Sequence, residues 1–458
     1  MSTVSANLAW YRRHQLLAGA MFWVPTMMLF LIDGFGLAAA LRLQAVYYAA
    51  VVVMEVPSGW LSDRFGRVLT LRVVAVAWAG AYSMFLLGDL AAVVLGQVLL
   101  AAGYAFLSGT DVTFHLESLE AEGRAAEFAQ REASSRQGLL YVSAVSALLG
   151  GALAMADLRL PFVLSLVFAI AQLVVAMQFV EVPAERDQSP SFRADIARSA
   201  ARLKDPLLAW VGLYMISQVV AVHLVAELTP AYLTDVFGAT TDATEWAALS
   251  TGVIAAVVAT VAALSLKGLP ATVGRLGLAA VLLLLAAVPL VVMGAMAVVA
   301  AGWVLPLLTL RRVQAAASSV LVPAVVAAHV DAKSRATLLS MLSLAGRLSY
   351  MAVLLLLAGS AGDQLGRSLW LATAAIGVLW IAVVVGQRRV RDFPDDLEHD
   401  HDHVHDEMEH DHLHTHGDGH HDHHHYPPVE GPHRHRHHHP PMRHKHPHTR
   451  DDHHLHDR

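Results

Sequence analysis

The chain has 458 residues, of which 55% are hydrophobic and 15% are charged, with a formal net charge of −6 at pH 7. Together with a mean hydropathy of +0.48, this composition excludes a soluble globular protein of this length and predicts an integral membrane protein. Cysteine is absent, which excludes disulfides, thiolate metal sites and cysteine nucleophiles.

The apolar segments predict an all-α polytopic membrane protein. Arg12 and Arg13 precede an apolar run that is too long for a signal-peptide core, so we expect an uncleaved first helix. Segments of about 18 to 25 apolar residues, long enough to cross a bilayer core of about 30 Å, then recur along the chain. We predict twelve spans, at residues 15–35, 44–62, 68–88, 91–114, 138–156, 160–181, 207–229, 246–266, 276–295, 297–321, 337–358 and 368–386.

Loop charge predicts the orientation of these spans. Arginine and lysine concentrate in alternate loops, beginning with Arg64, Arg67 and Arg72 and ending with Lys333 and Arg335. The positive-inside rule places those loops and both termini in the cytoplasm. We therefore expect a multi-pass protein of a bacterial inner membrane.

A polar segment divides the twelve spans into six and six. Residues 183–206 contain Pro183, Pro190 and Pro206 and predict a cytoplasmic linker between two six-helix bundles, residues 10–182 and 207–390. Such a pair of pseudo-repeats is typical of transporters that hold their substrate between the halves, near the middle of the membrane.

Residues 395–458 form a tail of a different composition, which contains 24 of the 28 histidines. Because no apolar periodicity is present, we predict a disordered cytoplasmic tail. Alternating imidazoles and carboxylates suit Ni²⁺, Co²⁺, Zn²⁺ and Cu²⁺, although the tail could instead be a solvating or pH-responsive segment. The candidate metal ligands are His399, His401, His403, His405, His410, His412, His414, His416, His420, His421, His423, His424 and His425.

Two spans of the first half contain ionisable residues that are costly inside a membrane. Glu55, in the second span, could carry a proton or could be held by a neighbouring helix end. Asp111 and His115 are four residues apart, so they share one face of the fourth helix. This pair could bind a divalent cation or relay a proton, or it could be a solvated cytoplasmic helix end.

The second half contains two further candidate pairs for substrate binding or coupling. His223 and Glu227 share one face of the seventh helix, where they could act in transport or simply satisfy each other. Arg311 and Arg312 lie deep in the tenth helix. A guanidinium in a cavity favours anionic substrates and repels bare cations, but these arginines could instead neutralise Glu55 or Asp111.

The charged turn after the second span carries the most specific motif. Gly59, Asp63, Arg64, Gly66 and Arg67 follow the pattern GxxxDRxGR, which resembles the loop between helices 2 and 3 of the major facilitator superfamily. The resemblance implies that these five residues form a conformational latch on the inner side, here called the inner latch, in which Asp63 and Arg67 exchange partners with neighbouring helix ends as the transporter changes state. A weaker second copy spans Lys267–Arg275, with Gly274 and Arg275 at the corresponding spacing.

The resemblance implies a secondary transporter that works by alternating access, usually coupled to protons, and not an enzyme. No nucleotide-binding loop pattern occurs in the sequence. The histidine-rich tail resembles that of nickel and cobalt exporters of the same superfamily, so efflux of a divalent metal is the first hypothesis. Export of a small organic compound and a non-transporting metal sensor or store are the alternatives. We expect the bilayer, protons and one small substrate as partners, no nucleic acid, no required cofactor, and a functional monomer.

Overall fold

The computed structural model describes the chain in segments that cover most of the body and part of the tail. Contacts group the chain into two units, Met1–Phe393 and Pro394–Arg458, and the division of the body into two halves stays a prediction. The described residues are 5–182, 198–238, 242–265, 268–299, 301, 304–330, 332–390, 399–405, 408–414, 433–439 and 442–448.

The body begins with eight helices in the predicted first half. They are α1 (Ser5–Ala18), α2 (Met27–Phe35), α3 (Leu37–Phe65), α4 (Arg67–Leu87), α5 (Leu90–Leu107), α6 (Thr110–Ala121), α7 (Phe128–Ala154) and α8 (Leu160–Ala176). Helices α1 and α2 share the first predicted span, and α5 and α6 share the fourth. The break in the fourth span falls at Gly109, whose φ of 78° is left-handed and therefore suits glycine.

Seven more helices follow the linker. They are α9 (Pro206–Phe237), α10 (Ala243–Ser265), α11 (Leu269–Leu276), α12 (Leu278–Val298), α13 (Leu305–His329), α14 (Ala332–Ser360) and α15 (Leu365–Gln387). Helix α9 begins where the sequence favours a helix start, because Asp205 accepts hydrogen bonds from the N–H groups of Leu207 (2.8 Å) and Leu208 (3.1 Å) and Pro206 occupies the first turn.

The helices confirm the predicted all-α membrane fold. Within the described residues, nine helical segments are long and apolar enough to cross a membrane, and Leu160–Ala176 is a shorter apolar helix. Large apolar side chains such as Val53 (69% exposed) and Val298 (70% exposed) lie on the outside of the bundle, where lipid would cover them. The order of the helices fits the twelve-span architecture.

Two adjacent glycines allow helix α7 to approach two different neighbours. A Cβ atom on Gly150 would lie 1.9 Å from the backbone oxygen of Phe22, between α1 and α2. A Cβ atom on Gly151 would lie 2.7 Å from the backbone oxygen of Ala248 in α10. Small residues permit such close packing of membrane helices, so Gly150 serves a contact within the first half and Gly151 serves a contact between the predicted halves.

Four segments of the tail pair as antiparallel strands. Strand β1 (His399–His405) pairs with β4 (Met442–His448), and β2 (Met408–His414) pairs with β3 (His433–His439). For these segments the structure differs from the predicted disorder. Histidine recurs at about every second position along them, which is the two-residue period of a strand. Two-stranded ladders with so few apolar residues are marginal in water. The remaining proposed ligands His416, His420, His421, His423, His424 and His425 lie outside the described residues.

Candidate functional site

The turn between α3 and α4 is held by a carboxylate from the segment that follows α8. Gly66 adopts a φ of 104°, and the backbone N–H groups of Arg67 and Val68 each donate to a different oxygen of Glu181 at 2.9 Å. A carboxylate at the N-terminus of a helix interacts favourably with the helix dipole. Glu181 therefore fixes the start of α4, a role that the sequence motif alone does not reveal.

The side chain of Arg67 connects the same turn to α6. Its Nη1 donates to the hydroxyl of Ser62 at 2.9 Å, and its Nε lies 3.4 Å from Oε1 of Glu117. Arg64 is exposed, whereas the burial of Gly59 and the side chain of Asp63 lie outside what the structure describes. The partner-exchanging role of the inner latch remains a prediction, but Arg67 has the helix-end carboxylate that such a role needs.

The second copy of the motif is arranged differently from the predicted alignment. Gly274 and Arg275 lie inside the short helix α11, and the glycine that begins the next long helix, with a φ of 78°, is Gly277. Gly277 therefore corresponds in the fold to Gly66, because a left-handed glycine precedes the long helix in both cases. The alignment of Gly274 with Gly66 is wrong because α11 adds a turn of helix that the first copy lacks.

This difference supports an asymmetric role for the two copies. We expect Asp63→Ala to reduce transport at least tenfold more than Arg275→Ala, because Arg275 is exposed on α11 and the residue three positions before Gly277, which corresponds in the fold to Asp63, is Gly274 and carries no carboxylate. The measurement is the initial transport rate in proteoliposomes at matched protein density. Equal losses in the two variants would contradict the asymmetry.

Asp111 and His115 lie in a buried polar network between α1, α6 and α7. Gln15 donates to Oδ2 of Asp111 at 2.8 Å and to the hydroxyl of Tyr11 at 2.7 Å. Oε2 of Glu132 accepts from that hydroxyl at 2.9 Å and lies 2.8 Å from Nδ1 of His115. The interpretation of Asp111 and His115 as a solvated helix end is therefore wrong, since Asp111 is 5% exposed and His115 is 2% exposed.

In this network the neutral side chains of Gln15 and Tyr11 connect Asp111 to Glu132, and Glu132 contacts His115 directly. The rings of Tyr11 and His115 stack with centroids 4.1 Å apart, which fixes the imidazole beside Glu132. Sequence analysis did not single out Tyr11, Gln15 or Glu132, because the first turns of α1 and α7 are rich in polar residues and give no local signal that marks these three. Chemically, the arrangement suits proton exchange better than metal binding. In the described part of the chain, no group of three or more His, Cys, Asp or Glu residues is placed to hold a metal ion.

Glu55 pairs with an arginine of the other predicted half. Nη1 of Arg347, in α14, donates to Oε2 of Glu55 in α3. The two side chains are 31% and 23% exposed, in the same order, so the pair is not sealed in the packed interior. The structure therefore assigns the neutralisation of Glu55 to Arg347 and not to Arg311.

Glu227, in α9, makes a second polar contact between the halves with Gln44, which lies about three turns of α3 before Glu55. Nε2 of Gln44, in α3, donates to Oε2 of Glu227 at 3.0 Å. His223 does not need Glu227 as its partner, because its Nδ1 lies 2.7 Å from the backbone oxygen of Val219. Arg311 interacts electrostatically with Glu227, whereas the side chain of Arg312 lies outside the described residues.

Aromatic rings cluster beside Glu227. The ring of Tyr48 lies edge-on to Tyr350, with centroids 4.8 Å apart, and to His223, with centroids 5.6 Å apart. Tyr47 packs edge-on against Tyr48 at 5.0 Å. We call Glu55, Arg347, Glu227, Arg311 and these rings the inter-half site. It brings together charges of both signs and aromatic faces where the two halves meet.

Beside this site, α9 and α13 are connected by a row of polar side chains. The hydroxyls of Tyr214 and Ser318 are 2.7 Å apart, and Gln314 donates to the side-chain oxygen of Gln218. Gln314 is fully buried. These neutral hydrogen bonds hold α13 against α9, and so they hold the helix that carries Arg311 next to the helix that carries Glu227.

Comparison with known families gives the class of protein. A family model described as Major Facilitator Superfamily matches residues 15–310. The chain therefore belongs to the Major Facilitator Superfamily, whose members are membrane carriers of small molecules and generally not enzymes. No curated protein matches the sequence significantly.

Solved structures support the same fold. A mutant of the nucleoside transporter NupG matches with a TM-score of 0.68 at 12% identity, over 84% of this chain and 99% of that chain. A D-xylose-proton symporter matches with a TM-score of 0.61 at 16% identity, over 86% and 99% of the two chains. An auto-inhibited peptide transporter of the POT family matches with a TM-score of 0.63 at 13% identity, over 86% and 98%. At these identities the likeness shows the fold alone.

Proposed function

We propose that the chain is a proton-coupled secondary transporter of a small charged organic compound, which binds at the inter-half site. The observation that carries the proposal is that two charged groups, Glu227 with Arg311 and Glu55 with Arg347, lie along the same inter-half surface as the rings of Tyr48 and Tyr350. Carboxylates and guanidiniums next to aromatic faces suit a compound with both a charged group and an apolar or planar part.

This proposal is favoured over efflux of a bare metal ion, the first hypothesis from the sequence. Arg311 and Arg347 place two permanent positive charges beside the carboxylates of the site. A naked divalent cation would meet this repulsion, and a cation also prefers several oxygen or nitrogen ligands in one place. A chelated or organic substrate can instead use the carboxylates and the guanidiniums with different groups.

Proton coupling is part of the same proposal. Glu227 has a neutral amide, Gln44, as its hydrogen-bonding partner across the interface, so it can lose its charge on protonation without leaving that amide unpaired. The Asp111–Glu132 network in the first half offers a second place for proton exchange. A similar fold in a D-xylose-proton symporter supports coupling of this kind.

Proton flux in proteoliposomes tests the proposal. The full-length protein is reconstituted with a pH indicator inside, and four sets of compounds are added separately: amino-carboxylates, organic ammonium compounds, organic carboxylates, and Ni²⁺, Co²⁺ or Zn²⁺. We expect proton movement with an organic set and none with the metals. Glu227→Gln should abolish that movement, whereas the matched control Asp89→Asn, at a helix start outside the site, should retain it. Proton movement with the metals alone would overturn the proposal.

We further propose that the tail binds divalent transition metals as an accessory segment. The strand register carries this second proposal, because His401 pairs with His446 and His412 pairs with His435. Three alternate positions of each ladder place histidine opposite histidine, and residues directly opposite on antiparallel strands have Cα atoms about 4.5 to 5.5 Å apart. Histidines at directly opposite backbone positions are suited to share one Zn²⁺ or Ni²⁺ ion.

Bound metal per chain tests the tail. We expect the full-length protein to retain several Zn²⁺ ions after gel filtration and a chain that ends at Phe393 to retain none, as measured by elemental analysis. Within the tail, His401→Ala and His446→Ala should lose the same ion, so the double variant should lose no more than either single variant. Equal metal content in the full-length and shortened chains would refute metal binding by the tail.

A further inference from the structure

The N-terminus of α3 is capped by a carboxylate that comes from the other predicted half. Oδ1 of Asp363, in the turn between α14 and α15, accepts a hydrogen bond from the backbone N–H of Ala38 at 2.9 Å. The first N–H groups of a helix have no partner within the helix, and its N-terminus carries partial positive charge. Asp363 therefore satisfies a free donor and places a negative charge at the favourable end of α3.

Gly36 makes this approach possible. Its φ is 79°, and a Cβ atom there would lie 2.9 Å from Oδ1 of Asp363. Any other residue would be strained in this backbone conformation and would also displace the carboxylate. The turn before α3 is thus shaped to accept a carboxylate from α14–α15, in the way that the turn at Gly66 accepts Glu181 within the first half.

A second contact joins the halves at the same end of the bundle. Gly151, near the C-terminal end of α7, packs on the backbone of Ala248 near the N-terminal end of α10. By the predicted orientation, these ends and the N-terminus of α3 face outward. Alternating access requires that the halves separate at this end when the site opens to the outside, and both contacts must then break.

We propose that Asp363 and the N-terminus of α3 form an outer latch, which holds the external end of the transporter closed and must release for outward opening. The outer latch differs from the inner latch because its acid, Asp363, and its helix, α3, belong to different halves. It therefore responds directly to the separation of the halves. This inference concerns gating and needs no knowledge of the substrate.

Cysteine labelling tests the outer latch, since the natural chain contains no cysteine. The reporter is Ala248→Cys, at a position in α10 that is fully buried against α7. The measurement is the rate at which this cysteine reacts with a maleimide in purified full-length protein. We expect Asp363→Ala to raise that rate by about two- to tenfold, the change in population that loss of one helix-terminus carboxylate produces. Gly36→Ala should act in the same direction.

Asp89→Ala provides the matched control. Asp89 also caps a helix start, accepting from the N–H of Ala92 at 3.0 Å, but both residues belong to the first half. The labelling rate should stay at the parent value in this variant. The proposal is overturned if Asp363→Ala and Gly36→Ala both label at the parent rate while they elute as folded protein, or if Asp89→Ala raises the rate equally.

Discussion

Glu55→Gln and Arg347→Gln should each lower the free energy of unfolding by about 1 to 3 kcal/mol. Removing one partner of a fully buried ion pair costs about 3 to 5 kcal/mol, because the other charge stays behind without compensation. Here the Arg347 and Glu55 side chains are 31% and 23% exposed, so water screens part of that penalty. The measurement is denaturant unfolding of the full-length protein in detergent.

The double variant separates pairing from burial. Glu55→Gln with Arg347→Gln leaves two neutral groups facing each other, so we expect it to be no less stable than either single variant. The resulting coupling energy should be about 1 to 2 kcal/mol, typical of residues in direct contact. Strictly additive losses would show that the two residues contribute independently to the free energy of unfolding. Glu55 and Arg347 would then not act as a pair in the inter-half site.

Transport should respond more strongly than stability. If the pair forms and breaks as the halves move, both single variants and the double variant should transport at least tenfold more slowly than the parent, because the double variant restores charge balance without restoring the contact. A double variant with the parent transport rate would mean that the pair serves folding only. These outcomes also decide between the two interpretations of Glu55 that the sequence leaves open.

The span pattern and the charged turn could be predicted from the sequence because both depend on local information. Apolar length and loop charge report each helix separately, and the GxxxDRxGR pattern lies within nine consecutive residues. The breaks within the first and fourth spans were not predicted. Around Gly109, for example, polar and apolar residues mix without a proline to mark the interruption.

The partners across the bundle could not be predicted, because they join residues that are distant in sequence. Arg347 is 292 residues from Glu55, and Asp363 is 325 residues from Ala38. Nothing in the local pattern of either element specifies such a partner. The same limitation explains why Glu181 and Glu132 were missed, since each resembles an ordinary acid near a helix end until the fold brings a turn or a histidine to it.

The echo of the motif in the second half shows a further limit of spacing alone. Counting residues placed Gly274 opposite Gly66, whereas the fold places Gly277 there, because a short helix intervenes. The backbone conformation is the better guide, since both Gly66 and Gly277 have left-handed φ values at the start of a long helix. The two positions differ in the acid Glu181, which packs against Gly66.

Gly66→Ala should destabilise the protein by about 2 to 4 kcal/mol, the larger of the two glycine effects expected at these matched turns. A non-glycine residue with left-handed φ costs about 1 to 2 kcal/mol. In addition, the new Cβ atom would lie 2.7 Å from Oε2 of Glu181, so the carboxylate must leave the N–H groups of Arg67 and Val68. Loss of a helix cap costs about another 1 to 2 kcal/mol.

Gly277→Ala supplies the control, because its φ of 78° imposes similar strain and, among the described residues other than its chain neighbours and its own helix backbone, none has an atom within 4 Å of the added Cβ. We expect a loss of only about 1 to 2 kcal/mol there, measured by the same denaturant unfolding. The difference between the two variants then reports the Glu181 cap, and Glu181→Ala should reproduce that difference without any backbone strain. Equal losses at both glycines would contradict the assignment of Glu181 as the residue that holds the start of α4 in place.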